Sequence, residues 1–280
     1  MKSFHSSNAA AVPILVVGGT GKTGKRVVQG LRNHNIAVRV GSRTASPGFD
    51  WDNPATWAPA LHGVRAVYLT YFPDLAVPQA PAAISNFCEL ARREGVEHIV
   101  LLSGRGEPAA QQCEQIVQAS GMAWTIVRAS WFNQNFSEGA FHDMVQTGTI
   151  ALPVGNVGEP FVDADDIADV AIAALTQQGH EGQLYEVTGP RLLTFDDVAT
   201  ELSSATGSNV QFMPISVDSF IKTMLQQQVP KNTIDMMLFL FSEVLDGRNE
   251  KVCNGVQRAL GRPAKDFSEY AASLPKAMKA

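Results

Sequence analysis

The sequence predicts an α/β protein: a doubly wound, Rossmann-like parallel sheet with a smaller, mostly helical C-terminal lobe. Three observations carry this. Short aliphatic runs alternate with helix-length amphipathic segments up to about residue 130, a rhythm that implies parallel strands joined by crossover helices. Glycines at 18, 21 and 24 fall at the first strand–helix junction. With 280 residues, 45% of them hydrophobic, the chain can bury a sizeable core.

Each element has its own signal. Ile14 to Val17 is apolar, too short for a helix and bounded by glycine, so it reads as a buried strand. Residues 22–33 set Val27, Val28 and Leu31 on one helical face. Ala37 to Val40 is the next strand, 55–62 a short helix and Ala66 to Thr70 another strand. A helix at 79–94 precedes a strand at 98–103, and a helix at 108–120 precedes a strand at 124–130. The rhythm then loosens. "NQNFSEGAFHDMVQTG" reads as one helix ended near Gly148. Asp163 to Leu175 reads as a second, with Asp163, Asp165 and Asp166 near its start, where acids suit the helix dipole. A late strand follows at 183–189, then a helix at 194–206 whose opening "TFDD" has the pattern of a capping box. Helices are also expected at 216–228 and 231–246. No internal repeat or low-complexity linker is visible. Residues 1–12 read as a frayed polar tail, 13–155 as the doubly wound domain, and 156–280 as the part that completes the sheet and forms the second lobe.

Composition narrows the function. A net charge of −5 argues against a nucleic-acid binder. Cys88, Cys113 and Cys253 are sparse and form no CxxC pair, which fits a reducing compartment. Cys113 itself reads as a small packed thiol. No apolar run of ~20 residues is present, so a soluble, cytoplasmic protein without membrane contact, monomer or homodimer, is expected. Six histidines show no HxxxH or HxH spacing, so no metal site is expected. The aspartates at 163, 165, 166 and 169 read as a helix start with a solvated face.

The stretch "VVGGTGKTGKRVV" admits two readings. Gly21-Lys22-Thr23 ends like an ATP-binding loop, but the position where that loop needs its first glycine is Val16, inside the strand. The dinucleotide reading meets its conditions. Gly18 permits the tight turn, Gly21 close approach of a pyrophosphate, and Gly24 close packing of the helix on the sheet. The helix N-terminus then offers free N–H groups to phosphate. An NAD site carries an acid about 20 residues on, at the end of the second strand. Ser42 and Arg43 stand there instead. Arginine pairs with a 2′-phosphate, so NADP is expected over NAD.

With these residues placed, the sequence resembles the NmrA-like branch of the atypical short-chain dehydrogenase/reductases. "GVRAVYLTY", "HIVLLSG", "WTIVRASWFNQNF", "FVDADDIADVAIAAL" and "YEVTGPRLLTFDDVA" are similar to its later strands and C-terminal motifs. Within the branch, "FDWDNPATW" and "FVDADDIA" resemble ergot-alkaloid-type reductases and small NADPH-dependent quinone reductases. The likeness spans roughly residues 13–220. It implies that Gly18, Thr20, Gly21, Lys22 and Thr23 meet the pyrophosphate, and Ser42 and Arg43 the 2′-phosphate. Asp50 and Trp51 would border the adenine, although "FDW" could equally be a short buried strand. Thr70, Tyr71 and Ser103 would face the nicotinamide, while Asn133 and Phe136 would shape the substrate pocket.

One departure matters. The wider superfamily uses Tyr-x-x-x-Lys, in which tyrosine moves the proton and lysine lowers its pKa. No tyrosine here, at 68, 71, 185 or 270, has a lysine four places on, and Glu114 stands where that lysine might have been. Carbonyl reduction by that relay is therefore not expected. Hydride transfer to a small apolar quinone, iminium or enone remains, with Tyr71 the leading proton-donor candidate, then Ser103 and His142. The alternative is a redox sensor that binds NADP and catalyses nothing. "DMMLFLFSEVL", 235–245, reads first as core or subunit contact, and otherwise as a greasy wall over an aromatic substrate.

Overall fold

The computed structural model describes residues 12–139 and 141–276. Its strands are β1 (Ile14–Val17), β2 (Val38–Gly41), β3 (Ala66–Leu69), β4 (His98–Gly104), β5 (Ala123–Ala129), β6 (Thr149–Leu152), β7 (Gln183–Val187) and β8 (Gln211–Pro214). Every residue of β1 and β3 is buried, so both need cover on two faces. Six strands supply one parallel sheet, in the order β2-β1-β3-β4-β5-β7. "FDW" adds no strand to it.

Side chains alternate between the two faces. Leu15, Val17, Val67, Leu69, Ile99 and Leu101 point to one, under α2 (Trp57–Leu61), α3 (Ala80–Arg93) and α4 (Pro108–Gln118). Ile14, Val16, Tyr68 and Val100 point to the other, under α1 (Lys22–Asn33) and α7 (Ala164–Thr176). The chain runs from β1 outward to β2, then crosses back to β3 on the other side of β1. That reversal opens a crevice at the carboxyl ends of β1 and β3, where open α/β sheets bind ligands.

A third core belongs to the lobe. It gathers α5 (Asn135–Glu138), α6 (His142–Gln146), the parallel pair β6 and β8, α8 (Phe195–Thr206), α9 (Val217–Gln226), α10 (Lys231–Phe239) and α12 (Phe267–Ala272) around buried phenylalanines. It takes Phe136, Phe141, Ile150 and Leu152 from before residue 155. α11 (Gly255–Leu260) returns to the main sheet, where Val256 joins the α1/α7 core.

The structure departs from expectation in three places. The helix expected over 133–148 is two short ones, because Gly139 is extended (φ −147°) and α5 ends there. That break lets Phe136 and Phe141 both enter the lobe core. β6 and β8 escaped prediction because β8 is mostly exposed and ends in proline, so it shows no apolar alternation. The acidic start of α7 is only partly solvated. Asp163 caps the helix, accepting from the Asp165 amide at 2.7 Å, but Asp166 is fully buried. It receives Arg262 at 2.6 Å and the Lys265 amide at 2.7 Å. Asp165 receives Arg26 and Lys265. These pairs hold the C-terminal segment on α1 and α7. The Thr194–Asp197 capping box of α8 forms as predicted. The tail expected at 1–12 lies outside the described residues, Val12 excepted. Among the described residues no helix is long and apolar enough to cross a membrane, and no group of three or more His, Cys, Asp or Glu could hold a metal.

Candidate active site

A cleft of about 850 Å³ opens over the carboxyl ends of the central strands. Its first half is built by the turn between β1 and α1. Gly18 has φ +69°, and a Cβ there would fall on the Thr70 hydroxyl, which donates to the Val17 carbonyl at 3.0 Å. Gly24 packs on the Gly18 carbonyl with no room for a side chain. It does not line the cleft but lets α1 sit close to the turn. Gly21 precedes α1 in extended conformation with no side-chain cap, and no acid stands in the first turn. The leading amides of this 12-residue helix are therefore free for an anion. Thr20, Gly21, Lys22 and Thr23 all line the cleft. Lys22 Nζ donates to Asn135 Oδ1 at 2.7 Å, and burial, only partly offset by Glu138, lowers its pKa. This cradle fits a dinucleotide pyrophosphate.

Ser42 and Arg43 follow β2 and line the same cleft, Arg43 exposed. No acid intervenes. Asp50 and Trp51 also face the cleft. The Trp51 indole donates to the Thr70 carbonyl at 3.1 Å, and its ring lies 4.8 Å from that of Tyr71. Phe49, Trp57 and Phe87 pack beneath, giving an aromatic floor.

Farther along lie Tyr71 and Ser103. Burial, followed by the Asp52 and Cys113 charges, raises the Tyr71 pKa, so the phenol keeps its proton. Ser103 is buried and donates to Glu114 Oε1 at 2.6 Å. Glu114 is held in turn by the Arg128 guanidinium, which also reaches Glu186 at 2.9 Å. The residue in place of the relay lysine thus draws the serine proton away from the cleft, leaving Ser103 an acceptor toward any ligand. Cys113 is fully buried, and burial pushes its thiol up to about 12.

The cleft is also lined by Met236 and Met237 of α10, Met236 packing against the floor's own core, and by Leu240, Phe241 and Val244 of the π-helical turn Leu240–Val244 that continues it. Both readings of 235–245 hold in part: Phe241 and Leu245 join the lobe core, while Met236, Met237 and Leu240 line the cleft. Sequence periodicity cannot tell a core face from a cleft face, because both are apolar.

Four charged residues in the cleft were not singled out in the sequence: Arg105, Glu107 and Glu159, all buried, and the half-buried Asp74. Arg105 donates to the Ser130 hydroxyl at 3.0 Å and to the carbonyls of Asn249 (3.2 Å) and Lys251 (3.0 Å), tying the lobe to the end of β4. Glu159 accepts from the Trp131 amide at 3.2 Å. Burial nevertheless raises its pKa to about 7, against the opposing pull of that amide, Arg105 and Ser130. Arg105 and Glu107 had one available signal, their place just past a strand's carboxyl end in "SGRGE". Asp74 and Glu159 sit in loops that carry none. His142, Asn133 and Phe136 do not line the cleft. His142 opens α6, Phe136 is in the lobe core, and Asn133 is fully buried with no partner for its side-chain amide among the described residues.

Comparison with known proteins agrees with this geometry. Residues 18–178 match an NAD(P)H-binding family model, and residues 110–271 match the NmrA-like family. The chain belongs to the NmrA-like family. This NmrA-like protein is 32% identical to an NAD(P)H azoreductase of Xenophilus azovorans, over 92% of its own length and 96% of the relative's. It is 28% identical to an agroclavine dehydrogenase of Claviceps fusiformis, over 92% and 95%. Its fold matches an NADPH-dependent quinone oxidoreductase of Escherichia coli, solved with NADPH, at TM-score 0.77 and 21% identity, covering 92% and 98%. It is accordingly an NAD(P)H-dependent oxidoreductase with a Rossmann-like fold.

Proposed function

We propose that this protein uses NADPH, in preference to NADH, to reduce a small, apolar, conjugated electrophile, a quinone, azo compound, enone or iminium, without a Tyr-Lys relay. One observation carries the reading: a single cleft joins the glycine-built phosphate cradle to a wall of Met236, Met237, Leu240, Phe241 and Val244. The cradle and Arg43 hold the coenzyme. The aromatic floor and methionine wall exclude water and pack on a flat acceptor. Bound reduced nicotinamide supplies hydride, and the protein's task is to align the acceptor with it. Tyr71, protonated, offers a hydrogen bond to the acceptor. The relatives' azo and clavine activities support this substrate range. Its free cysteines suit action in the cytoplasm.

The test is NADPH oxidation, followed by its own absorbance, against quinones, azo dyes, enones and iminium salts. Turnover by at least one class, with NADH markedly poorer, is expected. Tight NADPH binding with no turnover of any would point instead to the redox-sensor alternative.

A further inference from the structure

The missing Tyr-Lys relay leaves a question of chemistry: where does the proton come from? Burial, then the neighbouring Asp74 charge, raises the Glu107 pKa well above the usual carboxylate range, and burial raises that of Asp74. Asp74 follows β3 by five residues, and its Oδ1 accepts from the Ala76 amide at 2.8 Å. Glu107 immediately precedes α4. Its carboxyl lies over Gly104, in the space a side chain there would fill. Both carboxyls line the cleft side by side, Glu107 buried and Asp74 half-buried. Oε2 of Glu107 is buried and has no hydrogen-bond partner among the described residues. Two carboxylates in contact repel, and only a proton between them makes the contact attractive. The other ionisable groups nearby are Glu114 (behind Ser103), Arg105 and the buried Cys113 thiol, which burial keeps protonated. Glu114 is committed to Arg128, and Arg105 to Ser130 and two backbone carbonyls.

We propose that Asp74 and Glu107 form the proton-donating pair of the reduction, with Glu107 protonating the substrate atom that gains negative charge as hydride arrives. This rests on the reductase reading above and narrows it. A quinone that takes hydride, two electrons and one proton, still lacks a second proton. Glu107 supplies it: its O–H bond breaks, the electron pair stays on the carboxylate, and an O–H bond forms on the quinone oxygen. The quinone ends as hydroquinone, the coenzyme as its oxidised form, and the pair one proton short until water restores it. An iminium needs no such proton, because hydride alone turns it into a neutral amine. The pair therefore suits acceptors that take hydride and proton together.

Two measurements on the full chain test this. Infrared difference spectra of the coenzyme-free protein at neutral pH, in a Glu159→Gln background that removes the other carboxyl holding a proton there, should show a protonated-carboxyl band, shifted in D2O, that disappears on adding Glu107→Gln and is perturbed by Asp74→Asn. Single-turnover NADPH oxidation is then compared for menadione, which needs a proton, and N-methylacridinium, which does not. Glu107→Gln should lower the menadione-to-acridinium rate ratio about tenfold or more and abolish the solvent isotope effect on menadione. Asp74→Asn, which removes the partner and keeps the shape, should lower it less. An absent band overturns the proposal whatever the activity. So does a band whose loss leaves the ratio unchanged, and in that case the reductase reading stands. No oxidation by either acceptor overturns the reductase reading and the donor role with it.

Discussion

The two halves of the cleft bind by different physics. The coenzyme half is made from one contiguous turn, its free amides and the two residues after the second strand. The substrate half is assembled from the ends of β3, β4 and β5 and from the lobe, and it carries buried acids beside methionines and aromatics. A fixed anionic ligand can be met by backbone dipoles, which are local and tolerate almost any neighbouring side chain. A varying apolar substrate needs side chains brought together by tertiary structure. The first half should therefore fail abruptly under single changes, and the second gradually.

The largest effect is expected at Gly18. Valine there would be strained at φ +69° and would collide with the Thr70 hydroxyl, collapsing the phosphate turn. NADPH affinity should fall roughly a thousandfold, ~4 kcal/mol, read by quenching of tryptophan fluorescence, with Trp51 in the cleft as reporter. Affinity kept within tenfold would mean the turn does not carry the pyrophosphate. Next comes Arg43→Glu, which replaces a charge-assisted contact with repulsion. NADPH should weaken about a hundredfold and NADH hardly at all. Equal loss for both would remove Arg43 from 2′-phosphate recognition and leave the coenzyme preference unexplained.

The contrast also decides what could be read in advance. The doubly wound class follows from alternation because buried parallel strands are apolar runs, and residues 14–17, 66–69 and 98–103 are such runs. The glycine turn shows because spacing and backbone geometry are local. The substrate half does not. Met236 was legible as apolar, but no pattern says whether it faces core, partner or cleft. Asp166 looked like a solvated helix acid, because its partners Arg262 and Lys265 lie almost a hundred residues away. Glu159 lies in a loop without periodicity, and only its burial makes it unusual.

That burial gives the third prediction. The Glu159 carboxyl is raised from the ordinary range to about 7 in the folded protein. Below the unfolded pKa it is protonated in both states and costs nothing. Between the unfolded pKa and about 7 the unfolded chain gives up its proton while the folded state keeps it, so stability falls across that window and levels off above it. Glu159→Gln keeps the acceptor for the Trp131 amide and removes the ionisation. The variant should match the wild type near pH 4 and exceed it by about 3 kcal/mol near pH 8.5, measured from urea midpoints. A constant difference across that range would place the charge in water.

The smallest effect is expected at Met236, and it bears most directly on the contrast. This side chain is half-buried, lines the cleft from α10 and packs toward the core under the aromatic floor. Methionine is unbranched and polarizable, so it adapts to flat ligands of differing outline. Met236→Ala removes one such contact without opening the lobe core, to which it does not belong. The expected loss is about 1 kcal/mol, a fivefold rise in KM for a quinone, because only part of a methionine's apolar surface is at stake. NADPH affinity should stay within experimental error. A shift in NADPH affinity with quinone KM unchanged would assign the methionine wall to the coenzyme instead, and the line between the two halves would have to move toward the lobe.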